Sequence, residues 1–198
     1  MNIDLFDEKK LTQATVFFLL HSPKRHINIL KLMKLLYLAE RKSFEMFHVP
    51  IIGDILGSMK NGPVLSRTLD RINEGSRQKS YWDGYISDRK NHEIALQPNL
   101  TMLNEDDLLE LSENDITALK SIWFEFGDRN QWELVDYTHS NCTEWRNTSS
   151  FIPITYSELF EALGFSKELS DSIVLDLKEQ SYLAKSMKMI NDKAARDD

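Results

Sequence analysis

The chain has 198 residues and a formal charge of −7, from 24 Lys/Arg against 31 Asp/Glu. That length allows one domain, or one domain with a small appendage, and a real hydrophobic core. Four Trp and ten Phe exclude a disordered chain, and no apolar run approaches the ~20 residues needed to span a bilayer.

Helix is expected first from Asp7 to His21, with Asp7 as its cap and Ser22-Pro23 as its stop. A second helix is predicted from Asn28 to His48, before Pro50. Its apolar positions fill about half the wheel, while Lys31, Lys34, Tyr37 and Arg41 share the opposite arc, into which Leu30 and Leu38 intrude. The helix is either central to the core or offers a mixed face to a partner. Ile55 to Met59 reads as a short strand. Pro63, in Asn61-Gly62-Pro63, suits the first turn of a helix reaching Ile72. Tyr81 to Ile86 and His92 to Leu96 read as two strands joined by a polar turn. Ser112 with Asp115 resembles a capping box for a helix to Phe126, and a short helix follows from Gln131 to His139. Glu158 to Leu163 and a longer helix from Ser166, with Gly164 between them, end the pattern. The predicted class is α+β, mainly helical: a helical bundle with a small antiparallel β-sheet.

The charge is uneven. From His21 to Lys90 there are 13 Lys/Arg against 7 Asp/Glu; from Asn91 to Asp198 there are 9 against 21. Such polarity steers an oppositely charged partner to one half of the surface, or reflects two ordinary solvated faces. Met1 to Lys10 lacks the basic start and apolar stretch of a signal peptide, and Cys142 is the single cysteine. Both features lead to an expectation of a soluble protein in a reducing cytoplasm, with no membrane segment.

No phosphate loop, HExxH, GxSxG or CxxC pattern occurs, so a catalytic site, a metal site and a cofactor are not expected. Asp136, His139 and Cys142 are too few for a closed zinc site. Cys142 and His139, three apart, make a weak nucleophile–base pair. Tyr156 to Gln180 has the outline of a helix-turn-helix. Its second helix carries two Lys against four acids, which would repel a duplex, so DNA is not the expected partner.

The run Leu30-Lys31-Leu32-Met33-Lys34-Leu35-Leu36-Tyr37-Leu38-Ala39 is followed by Pro50-Ile51, Gly53-Asp54 and Gly62-Pro63-Val64. In this order the pieces resemble the Panacea domain, or SocA-like antitoxin, family. Leu134 to Thr138 with Trp145 resembles the family's C-terminal region. The likeness covers about Ile27 to Arg146, and the second proline common after Gly-Pro-Val is absent here. The expected organisation is a Panacea-like domain over 1–149 with a helical extension, 150–198, packed on the same core.

The resemblance implies an antitoxin that neutralises a toxin encoded beside it, usually by direct protein binding. It also brings a bacterial, sometimes prophage, setting. One relative is an adaptor that delivers its toxin to a cytoplasmic protease, and a DNA-binding regulator is a further reading. Lys34, Tyr37, Arg41, Asp54, Gly62, Pro63, Val64, Tyr81 and Trp82 are the candidate partner contacts. Each has a core alternative; Lys34 and Asp54, for instance, would pair internally. A patch that binds a toxin could equally join two copies of the chain.

Overall fold

Helix α2 (Ile29–Phe47) is the axis of the fold. It lacks Gly and Pro and is rich in Leu, Lys, Met, Glu and Arg, all good helix formers. Asn28 caps it by accepting from the N–H groups of Leu30 and Lys31. His48, in the left-handed region at φ 61, closes it ahead of Pro50. Every residue from Leu32 to Glu40 is buried, so this helix is enclosed rather than half solvated. Around it lie α1 (Glu8–His21), α5 (Glu113–Phe126), α6 (Gln131–Asn141) and the strand β3 (Gly62–Leu65).

The surrounding helices start where side chains satisfy their free N–H groups. Asp7 accepts from Lys9 and Lys10 at α1, and capping boxes pair Ser112 with Asp115 and Asn130 with Glu133 at α5 and α6. In a computed structural model describing residues 3–74 and 80–194, the class is α+β and mainly helical, with two small antiparallel sheets. One pairs β1 (His26–Asn28) with β4 (Glu93–Ala95), placing Ile27 opposite Ile94. In the other, β2 (Leu56–Met59) lies between β3 and β5 (Ile152–Pro153).

Two local expectations change. Gly62-Pro63-Val64 is strand, not helix start: Gly62 takes φ +97 to close the β2–β3 turn, and Pro63, which has no N–H, sits on the sheet's edge strand. Helix α3 (Ser66–Glu74) begins only after it. Tyr81–Tyr85 is a short helix, α4, because Asp83 accepts from the Ser80 N–H at 2.8 Å and holds a helical first turn. That local bond outweighs the strand preference of Tyr and Trp. Only an isolated bridge from Ile86 to Leu96 survives of the expected pairing, and β4 joins β1 instead.

After β5, α7 (Tyr156–Ala162) and α8 (Lys167–Ala194) follow, with Gly164 at φ +78 between them. Leu159, Phe160, Ile173 and Leu177 belong to the same hydrophobic cluster as α1 and α2. Beyond Ser181, α8 exposes Tyr182, Leu183, Met187 and Ile190. Among the described residues no helix is long and apolar enough to cross a membrane.

Candidate functional site

The signature residues of α2 face inward. Tyr37 has no exposed surface, and its hydroxyl donates to Glu144 Oε1 at 2.8 Å. Arg41, one turn on, donates from Nε to the same oxygen at 3.0 Å. Burial and the neighbouring Glu144 carboxylate push the Tyr37 hydroxyl well above its ordinary pKa, so it stays a proton donor. The Lys34-Tyr37-Arg41 arc therefore bonds α2 to β3, through Lys34, and to the chain after α6, through Tyr37 and Arg41, and is not an open contact face. The reason is crowding: β3 and the chain after α6 meet the arc that the helical wheel left polar.

Lys34 is fully buried and donates to the Pro63 carbonyl at 2.6 Å; it does not pair with Asp54. Burial drives its amine down to about 7. Gly62 must be glycine here, since a Cβ would stand 2.7 Å from Thr138 Oγ1 and 2.9 Å from Lys34 Nζ. Asp54, also buried, accepts from the N–H groups of Arg67 and Thr68 and from the Thr68 hydroxyl, which caps α3. Trp82 is buried beneath Arg71, while Tyr81 is half-buried and bonded to Gln13. As surface contacts, Lys34, Tyr37, Asp54, Gly62, Pro63 and Trp82 are thus displaced by their own packing. Cys142 is buried as well, and burial pushes its thiol up to about 12, far from a ready nucleophile.

Two working residues, Glu40 and Glu144, escaped the sequence reading, and Trp145 entered it only through the family likeness. Glu40 accepts the N–H groups of Ile51, Ile52 and Gly53 at 2.7–2.9 Å and so fixes the loop that leaves α2. An acid inside the apolar stripe Met33, Leu36, Phe44 was its available signal. Glu144 had none, lying alone in a polar stretch. Trp145 stacks on His139 at 3.9 Å between ring centroids and donates to the Met59 carbonyl, tying α6 to the hairpin.

An open cleft of about 680 Å³ lies beside this network. Its walls come from the start of α2, the β2–β3 hairpin, α3, the turn before β4 and the start of α6. Ile29, Met33, Met59, Val64 and Leu69 supply apolar surface. Lys60, Arg89 and His92 stand with Trp132 around it, and Trp132 is 58% exposed. Arg89 is braced by Asn73 at 2.5 Å and by His92 at 3.3 Å. Of the sequence candidates, Lys34 and Val64 reach this cleft; Tyr37, Arg41, Asp54, Tyr81 and Trp82 do not line it.

Neither a curated protein nor a solved structure matches the chain. The Antitoxin SocA-like, Panacea domain family matches residues 32–146, which is more than half of the sequence. The matched span carries the Tyr37–Glu144 bond, the Asp54 cap and most of the cleft wall. The chain belongs to the Antitoxin SocA-like, Panacea domain family.

Proposed function

We propose that this protein is an antitoxin that neutralises a toxin protein by binding it directly, with the cleft between α2, the β2–β3 hairpin and α6 as its contact surface. It acts by binding and not by catalysis. The observation that carries the reading is the coincidence of the family span, 32–146, with most of the residues that build this open, apolar-walled cleft. Apolar walls with an exposed Trp at the edge are what protein interfaces use as anchors. The buried signature residues support the surface from beneath: Lys34 holds Pro63, and Trp145 holds Met59.

The test is growth of cells expressing the open reading frame beside this gene, alone and together with this protein. A neighbour that is toxic alone and harmless together supports the reading. A neighbour that is harmless alone, or equally toxic in both cases, overturns it.

A further inference from the structure

The sixteen residues lining the cleft include no Asp and no Glu, in a chain where acids outnumber bases 31 to 24. Its exposed charged side chains are basic, Lys60 and Arg89 at the rim beside His92, with the buried amine of Lys34 beneath. Two helices also begin here. Asn28 and Ile29 at the start of α2, and Gln131 and Trp132 at the start of α6, line the same space. The charged lining is therefore basic in a chain of net negative charge, and such contrast selects a partner's charge.

The apolar walls narrow the choice further. A nucleic-acid backbone needs a dense row of cations to replace its counterions, and two exposed cations beside Ile29, Met33, Val64 and Leu69 do not supply one. The volume falls in the ~300–1,000 Å³ range of pockets that enclose a few anchoring groups. A second copy's α8 is a poor fit, because its exposed end, Tyr182 to Ile190, carries Lys185 and Lys188 and no acid.

We infer that the cleft receives an acidic, apolar-anchored segment of the partner protein: one or two large apolar side chains against Met33, Val64 and Leu69, with flanking carboxylates on Lys60 and Arg89. This deepens the antitoxin reading and rests on it for the partner's identity, while the chemistry of the cleft is tested separately.

The experiment uses the full chain and two labelled 12-residue peptides with identical Leu and Phe anchors, one carrying four Glu and the other four Lys. Binding is read by fluorescence anisotropy. The expected result is at least ~10-fold tighter binding of the Glu peptide, weakened by salt and lost by ~10-fold or more in Lys60→Glu/Arg89→Glu. Lys60→Glu alone, on an exposed side chain, gives a smaller loss without touching the Arg89 brace. Lys178→Glu, on exposed α8, leaves binding unchanged.

Equal or tighter binding of the Lys peptide, no binding of either, or displacement of the Glu peptide by a single-stranded 12-mer oligonucleotide would overturn the inference. So would a dimer that the double variant converts to monomer in sedimentation. Capture of the neighbouring gene product separates the two claims. If the wild type does not hold it, the antitoxin reading fails and the peptides still decide the cleft. If the wild type holds it and Lys60→Glu/Arg89→Glu holds it equally well, only the cleft assignment fails.

Discussion

Tyr37 on α2 and Glu144 beyond α6, 107 residues apart in sequence, meet in a 2.8 Å hydrogen bond inside the protein. Arg41 donates to the same carboxylate oxygen, so one buried acid collects two donors from successive turns of one helix. Tyr37→Phe removes one neutral donor and should cost about 1–2 kcal/mol in urea unfolding. Glu144→Ala strands a tyrosine and an arginine together and should cost about 3–5 kcal/mol. A Tyr37→Phe variant as stable as the wild type contradicts the network.

Gly62 and Gly84 make an opposed pair of tests. Gly62 sits at φ +97 with Thr138 and Lys34 closing on its missing Cβ, so Gly62→Ala should lose about 2 kcal/mol or more. Gly84 lies in α4 with nothing within 4 Å of an added Cβ, so Gly84→Ala should gain about 0.5 kcal/mol. Thermal unfolding of both variants checks the signs.

Two buried ionisable groups give stability a pH profile. Lys34 titrates near 7 in the folded chain against 10.5 for a free lysine, so above about pH 7 the unfolded chain holds the extra proton and stability rises with pH. Glu40 is raised by burial from 4.5 to about 7, so between those values the folded chain holds the extra proton and stability falls as pH rises. Together they place a minimum near neutral pH. Lys34→Met should flatten the alkaline side and Glu40→Gln the acid side, read as urea midpoints at about pH 5, 7 and 9. A constant offset of each variant from the wild type across that range would count against both assignments.

Much of the helical frame was legible in the sequence. Asp7, Asn28, Ser112 and Asn130 announce helix starts by local chemistry, and Gly164 marks a helix end. The errors came where long-range packing decides. Pro63 fits a helix start by propensity, yet its pairing with β2 makes it strand. Lys34, Tyr37 and Arg41 look like a polar arc, and only the positions of β3 and of the chain after α6 show that Pro63 and Glu144 await them. The cleft was illegible for the same reason. Met59, Leu69 and Trp132 lie on three different elements and Arg89 on a loop, and no local pattern announces that they converge.

The central claim is direct capture of a toxin, and titration of the purified chain with the purified product of the neighbouring open reading frame tests it most directly. The account predicts a stoichiometric complex of about micromolar affinity or tighter that weakens as salt is raised. Absence of any complex, while the neighbour remains toxic to cells lacking this protein, would contradict it.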